Sequence, residues 1–122
     1  MEFQKTLEQQ IIVIDGAMGT QIQNLGLTDE DFGGPEYRML SDLLAFAYPD
    51  ALKTIHLDYL RAGANAIETN TFGASPLRLG EYDFRRLDVS RFAGVPEGVD
   101  LRALTYEAFA YHLNRQAAAV AA

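Results

Sequence analysis

Residues 11–20 read IIVIDGAMGT, and this stretch decides which fold we expect. The apolar residues at 11–14 do not alternate with polar ones, a pattern typical of a parallel strand that is covered on both faces. Gly16 and Gly19 then allow the chain to turn tightly. The sequence therefore predicts a buried strand over 11–15 that runs into a loop with accessible backbone.

A helix and a second strand are predicted further along the chain. Pro49 is tolerated in the first turn of a helix, and Gly63 is typical of the position just after the last turn. The intervening sequence places five residues on one apolar helical face: Leu52, Ile55, His56, Tyr59 and Leu60. Residues 64–69 indicate a short strand. The three elements predict a βαβ unit with parallel strands and a right-handed crossover.

The remaining segments predict shorter elements. We expect a short helix over 3–10, a helical turn over 20–25, a polar loop over 28–38, an apolar piece over 43–47, and a mostly irregular stretch over 73–100 with a short helix near 76–82. A last helix is expected from Asp100, a plausible N-cap, to the end. Its apolar stripe comprises Tyr106, Phe109, Ala110, Leu113, Ala117 and Val120.

The fold class expected from these elements is α/β. Two parallel strands make a poor complete sheet. We therefore expect residues 1–122 to form a single partial domain, the front of a larger α/β protein.

Charge and composition exclude several classes of function. Seventeen acidic residues against ten basic ones give a net charge of -7, which argues against a nucleic-acid surface or an anionic membrane. No apolar run is long enough to span a membrane, and the polar N-terminus lacks a signal-peptide core. We expect a soluble, cytoplasmic chain. It has no cysteine and only two histidines, so it cannot build a thiolate metal site by itself.

Both candidate site motifs follow predicted strands. In parallel α/β folds, ligands bind at the carboxyl ends of the strands. Backbone N–H groups in the glycine-containing turn can hold a carboxylate or a phosphate, and Asp15 can accept from an ammonium group. Glu68, Asn70 and Thr71 close the second strand. A carboxylate beside N–H donors matches the two charged ends of an α-amino acid.

Ordinary structural explanations compete with this hypothesis. Turns of the strand-Asp-Gly type are common, and the loop lacks both the Walker A and the G-x-G-x-x-G patterns of nucleotide binding. A phosphate-binding barrel enzyme of another kind stays open as a minor alternative. His56 lies on the apolar helix face and is expected to be a satisfied core histidine. Residues 29–31, all acidic, are expected in a solvated loop.

Four segments resemble the homocysteine S-methyltransferase family, in particular the homocysteine-binding domain of its cobalamin-dependent members. They are IIVIDGAMGT at 11–20, LTDEDF at 27–32, YPDALKTIHLDYLRAGA at 48–64 and ETNTF at 68–72. The resemblance is weaker over 76–100 and returns loosely in the last helix. It implies the first two units of a (β/α)₈ TIM barrel.

The resemblance also implies a reaction, namely methyl transfer to the sulfur of homocysteine to give methionine. In the family, zinc held by three cysteines binds that sulfur and favours the thiolate, and cobalamin carries the methyl group in the cobalamin-dependent members. On this sequence, the turn over residues 16–19 would hold the homocysteine carboxylate, and Asp15 would face the amino group. The segment over 68–71 would line the same end of the barrel. The substrate-binding residues implied are Asp15, Gly16, Ala17, Met18, Gly19, Glu68, Asn70 and Thr71.

Two departures from the family pattern limit this expectation. The chain has no cysteine, so we assign it no catalytic residue, no metal ligand and no cofactor of its own, and zinc and cobalamin are implied only for a full-length family protein. Residues 38–50 also differ from the usual approach to the helix, and 80–100 is longer than the usual connection. The expected partners are homocysteine and the remainder of the barrel or other domains. The alternative is a non-catalytic binding or assembly module that keeps the amino-acid half of the site but has lost the zinc half, and that could complete a barrel with another chain.

Overall fold

A computed structural model describes residues 2–122 as a mostly helical chain. The α-helices are α1 (Phe3–Gln9), α2 (Gly19–Asn24), α3 (Leu44–Ala47), α4 (Pro49–Arg61), α5 (Pro76–Leu79) and α6 (Tyr106–Ala121). Short 3-10 turns lie at Asp29–Phe32, Pro35–Tyr37, Ser41–Leu43, Phe84–Arg86 and Leu101–Ala103. The predictions of a helix over 3–10, a turn over 20–25 and a long helix after Tyr48 are confirmed. The helix near 76–82 is shorter than expected.

The two predicted strands, over 11–15 and 64–69, are wrong as regular strands. Among residues 2–122 the β structure is a single isolated bridge, between Ile14 and Ala66. The bridge is parallel, as predicted. It is held by the N–H of Asp15, which donates to Ala66 O at 3.0 Å, and by the N–H of Ala66, which donates to Val13 O at 3.2 Å. The two segments therefore lie side by side with the expected polarity.

The first segment is also not covered on both faces. Ile11, Val13 and Ile14 are 87%, 51% and 59% exposed. Two paired segments cannot form the cooperative, covered sheet for which these apolar side chains are suited, since three or more strands or a packed helix are needed. The predicted start of a barrel is therefore not confirmed by the described residues.

The core lies instead among the helices. Every residue of α3 is at most 5% exposed, as expected of a helix that is apolar all round. α3 packs against α4 and α6. The ring of Phe109, on α6, stacks on Phe84 at a centroid distance of 4.0 Å and meets Phe46 edge-on at 5.7 Å. Aromatic pairs of this kind add stabilisation beyond the area that they bury.

The last helix begins later than predicted. Asp100 caps only the short turn Leu101–Ala103, accepting from the N–H of Arg102 at 3.1 Å. The cap of α6 is Thr105, whose hydroxyl accepts from the N–H of Ala108 at 3.1 Å. Both residues are good N-caps, so the local sequence offers two starts. The predicted stripe is otherwise confirmed at Phe109, Ala110, Leu113 and Ala117, which are buried.

The irregular stretch between α5 and α6 is part of the core. Phe84, Leu87 and Leu101 are buried against the helices. Backbone contacts fix the stretch to earlier parts of the chain, since the N–H of Gly94 donates to Phe46 O at 2.7 Å and the N–H of Asp88 donates to Gly33 O at 3.0 Å. The loop is therefore ordered by tertiary contacts despite its lack of regular structure.

The acidic loop is also more ordered than expected. Asp31 accepts from the N–H of Thr28 at 2.8 Å in a capping box and forms an ion pair with Arg91 at 3.2 Å. Asp29 forms an ion pair with Arg38 at 3.0 Å. The expectation of a simple solvated loop is wrong for Asp31, whose side chain is 14% exposed, whereas the side chain of Asp29 is 47% exposed. Between residues 2 and 122, no helix has the length and apolar character needed to cross a membrane.

Candidate functional site

Asp15 joins the two predicted site motifs. Its Oδ2 accepts from the backbone N–H of Glu68 at 3.1 Å, across the parallel bridge. Its Oδ1 is buried and has no hydrogen-bond partner among residues 2–122. A buried carboxylate oxygen without a donor is costly. The structure therefore leaves one buried oxygen of Asp15 without a hydrogen-bond donor among residues 2–122.

The turn over residues 16–19 is hydrogen-bonded to α4. The hydroxyl of Tyr59 donates to the carbonyl oxygen of Ala17 at 2.6 Å. A Cβ on Gly16 would lie 3.2 Å from that hydroxyl, so glycine allows the close approach. The N–H groups of residues 16–19 have no acceptor within the described part of the chain. The turn thus presents several free backbone donors.

The second segment is arranged differently from the first. Glu68 is exposed, and Thr71 is half-buried. The hydroxyl groups of Thr69 and Thr71 are 2.8 Å apart. Asn70 is buried, and its amide donates to Ser41 O at 3.0 Å. Of the three predicted residues here, Asn70 therefore uses its amide in a structural contact, whereas Glu68 and Thr71 stay accessible.

Asp42 binds the same segment at Gly73, three residues beyond Asn70. Its Oδ2 accepts from the N–H of Gly73 at 2.9 Å, and its side chain is 5% exposed. Burial raises the pKa of the Asp42 carboxyl, while the N–H of Gly73 and the charge of Arg78 oppose the shift. A buried acid is thus hydrogen-bonded to the end of the second segment.

His56 lies on α4 one turn before Tyr59. It is 3% exposed, so the prediction of a core histidine is confirmed, but its Nδ1 has no partner in the described part of the chain. The expectation of a satisfied histidine is therefore wrong. Burial lowers the pKa of His56, and the negative charge of Asp15 partly offsets this. A neutral imidazole at this position is favoured.

A cavity of about 270 Å³ lies beside the turn. Gly19 and Ser41 both line it, with Ile22, Phe32 and Arg38. It therefore connects the end of the first motif with the residues that bind Asn70. The guanidinium of Arg38 lies over the Phe32 ring at 5.2 Å and is paired with Asp29, so its charge is already compensated.

Sequence reasoning missed three residues that shape this site: Tyr59, Ser41 and Asp42. Tyr59 belongs to the predicted apolar stripe, but the hydroxyl that reaches Ala17 gives no periodic signal. Asp42 precedes the apolar piece at 43–47, and an acid beside a fully apolar run is the one signal that could have found it. Ser41 acts through its backbone carbonyl, for which residue type carries no information.

The described residues do not fit a zinc site of the kind that the resemblance implies. Residues 2–122 contain no group of three His, Cys, Asp or Glu side chains placed to hold a metal ion, and the chain has no cysteine. The side chains of this region therefore cannot supply the zinc half of the family's site.

Comparison with known proteins identifies the class of protein. The sequence profile of the family described as homocysteine S-methyltransferase matches residues 12–121. The chain belongs to this family of methyltransferases, whose members are TIM-barrel proteins. The resemblance drawn from the four motifs is thereby confirmed.

Two similar relatives carry the name methionine synthase. The one from Mycobacterium tuberculosis (strain ATCC 25618 / H37Rv) is 51% identical over 77 residues, which cover 63% of this chain and 6% of the relative. The one from Mycobacterium leprae (strain TN) is 49% identical over 79 residues, which cover 65% of this chain and 6% of the relative. The chain therefore corresponds to a small part of these relatives.

Proposed function

We propose that this chain is part of a homocysteine S-methyltransferase of the methionine synthase type, in which it binds the amino-acid end of homocysteine. Within the longer protein, residues 1–122 would be the first two βα units of a TIM barrel. The reaction would transfer a methyl group to the homocysteine sulfur and give methionine. Family membership and the two relatives support this proposal.

The unpartnered Oδ1 of Asp15 carries the proposal. A single-charge ligand would satisfy either this oxygen or the free N–H groups of residues 16–19, but an α-amino acid satisfies both. Its ammonium group would donate to Asp15, and its carboxylate would accept from the turn. Glu68 and Thr71 would line the same site, and the buried Asn70 would hold their segment in place.

The sulfur chemistry lies outside this proposal for the chain itself. A thiolate-activating zinc ion and a cobalamin methyl carrier would come from other parts of a full-length protein, because the described residues offer no metal site. The chain alone is therefore expected to bind homocysteine weakly, through the ammonium and carboxylate groups of the ligand. It is not expected to catalyse methyl transfer. Its partners would be homocysteine and the rest of the barrel.

The test is a titration of the ¹⁵N-labelled chain with L-homocysteine, followed by the amide resonances of residues 15–19. We expect saturable shifts there, without any requirement for zinc. L-2-aminobutyrate, which lacks only the thiol, is expected to give similar shifts. 4-Mercaptobutanoate, which keeps the thiol and carboxylate but lacks the ammonium, is expected to bind at least tenfold more weakly, since one charge-assisted hydrogen bond contributes roughly 1.5–3 kcal/mol.

The matched variant is Asp15→Asn, which keeps the acceptor for the N–H of Glu68 but loses the charge. It should lose the preference for L-2-aminobutyrate over 4-mercaptobutanoate. Unchanged resonances in the wild-type chain at saturating amino acid, or zinc-dependent micromolar binding, would contradict the proposed division of roles.

A second candidate function, a non-catalytic assembly module, is favoured by one observation. The exposed apolar side chains of Ile11, Val13 and Ile14 lie on an extended segment that pairs only through the bridge of Ile14 with Ala66 within residues 2–122, and exposed extended segments can pair with other chains. Sedimentation at several concentrations separates the candidates. Self-association that Val13→Lys abolishes, in a chain whose 15–19 resonances ignore amino acids, would favour the module. A monomer that responds to amino acids would favour the methyltransferase part.

A further inference from the structure

We propose that Asp42 is a positioning residue of the candidate amino-acid site, holding the residues that stand beside Asp15. This inference rests on the proposed function, because it assigns Asp42 to the same site. Asp42 would not touch the ligand. It would act through the backbone of residues 68–73.

Two acids hold the two ends of the second segment. At one end, the N–H of Glu68 donates to Asp15 Oδ2 at 3.1 Å. At the other end, the N–H of Gly73 donates to Asp42 Oδ2 at 2.9 Å. The backbone of the segment that carries Glu68 and Thr71 is therefore bonded at its two ends by Asp15, within the proposed site, and by Asp42, outside it.

The residue before Asp42 adds a second attachment. The carbonyl oxygen of Ser41 accepts from the Asn70 amide at 3.0 Å. Within the segment, the N–H of Ala74 donates to Thr71 O at 3.1 Å. The short turn at residues 41–42 thus binds both sides of the bend over 70–73, and Thr71 lies between the two attachments.

Gly73 lies directly against the Asp42 carboxylate. A Cβ at this position would lie 2.9 Å from Asp42 Oδ1 and 3.2 Å from Arg78 Cγ. Since a real Cβ does not approach an oxygen so closely, any other residue would displace the carboxylate or the bend. The contact between residues 42 and 73 is therefore specific to the pair.

An acid at position 42 is costly to bury. Transfer of a carboxylate from water into the protein interior is costly unless it is fully compensated. Here burial outweighs the compensation from the N–H of Gly73 and the charge of Arg78, because the pKa of Asp42 is raised. An apolar residue would avoid that cost, but it would leave the buried N–H of Gly73 without an acceptor, which is itself costly, and it would release the bend.

The experiment compares Asp42→Ala, Asp42→Asn and the control Val120→Ala, at a partly buried position of α6, in the ¹⁵N-labelled chain titrated with L-homocysteine. Asp42→Ala removes the acceptor, so we expect binding to weaken roughly tenfold, as the loss of one buried hydrogen bond implies, with shifted amide resonances at Glu68 and Thr71. Asp42→Asn keeps an oxygen acceptor for Gly73 and should restore both. Val120→Ala changes packing on α6, outside residues 41–42 and 68–73, and should leave both unchanged.

Several results would overturn the assignment. They are wild-type affinity in Asp42→Ala, failure of Asp42→Asn to restore binding, or an equal loss of affinity in Val120→Ala. If Asp42→Ala does not fold, the wild-type chain decides through amide hydrogen exchange. L-homocysteine should then slow exchange at Gly73 more than at Ala117, since coupling between sites is reciprocal, and equal slowing would overturn the role.

Failure of the proposed function gives a different result. In that case the wild-type chain shows no response to L-homocysteine at residues 15–19. The role of Asp42 is then decided by the variants alone, through the amide resonances of Glu68 and Thr71. If those resonances do not move in Asp42→Ala, Asp42 does not position the segment.

Discussion

The hydroxyl of Tyr59 and the carbonyl oxygen of Ala17 are 2.6 Å apart, and this contact joins the long helix to the turn of the candidate site. The N–H groups of residues 16–19 stay free in this arrangement, since they have no acceptor among residues 2–122. The helix therefore sets the shape of the turn as well as contributing to the core.

Tyr59→Phe tests this relationship. Loss of the hydroxyl should lower the free energy of unfolding by about 0.5–1.5 kcal/mol and weaken amino-acid binding at residues 15–19. Urea unfolding and the ¹⁵N titration measure the two effects. Tyr48→Phe is the matched control, since the Tyr48 hydroxyl has no partner among residues 2–122, and it should change neither. Equal effects from both variants would contradict a role for the Tyr59 hydroxyl.

Gly94→Ala should be among the most destabilising single-methyl changes in the chain. A Cβ at this position would overlap the carbonyl oxygen of Ala45, and overpacking of this kind costs about 1–3 kcal/mol. Gly19→Ala is the control, because its Cβ would meet nothing within 4 Å. In a helix, alanine is about 0.5–1 kcal/mol more favourable than glycine, so this control should be neutral or stabilising. Thermal unfolding of both variants checks the difference. An unfolding temperature of Gly94→Ala equal to that of the wild type would contradict the packing of the irregular stretch between α5 and α6 against the core.

Thr105→Ala tests where the last helix begins. Removal of the N-cap hydroxyl should cost about 1 kcal/mol and reduce the helical signal in circular dichroism. Asp100→Ala should cost less and leave the helical signal unchanged, because Asp100 caps only the short turn Leu101–Ala103. The reverse order of effects would restore the start at Asp100 that the sequence suggests.

The stability of the chain should depend on the protonation of His56. Burial lowers the pKa of His56 below its ordinary value of 6.5, so the unfolded chain binds a proton that the folded chain resists. The contribution of the neutral imidazole is therefore complete above pH 6.5 and is lost as pH falls through 6.5 toward the folded pKa. The slope cannot exceed about 1.4 kcal/mol per pH unit for one proton.

Urea unfolding between about pH 7.5 and pH 5.5 measures this effect. His56→Gln, which does not titrate, should flatten the slope. The comparison with the wild type also removes the contribution of Asp42, whose raised pKa acts in the opposite direction. An equal slope in the variant and the wild type would show that His56 titrates alike in both states.

Much of the helical structure could be predicted from the sequence because its signals are local. Pro49, Gly63 and the apolar stripe between them define α4 without reference to the rest of the chain. The strands could not be judged in this way. A strand needs a continuous ladder with a neighbouring strand and cover on its faces, and the described residues supply one bridge between Ile14 and Ala66.

The residues of the candidate site also fall into two groups, those recognisable from local sequence and those known only from tertiary contacts. The sequence by itself determined the residues proposed to face a ligand, because Asp15 and the glycines of the turn are recognisable by type and spacing, and the four motifs determined the family. Only the tertiary structure decided what supports them. Tyr59, Ser41 and Asp42 act through single contacts with segments 29 to 42 positions away in the chain. Such contacts leave no periodic pattern, since they depend on how the helices pack and not on any local preference of the backbone.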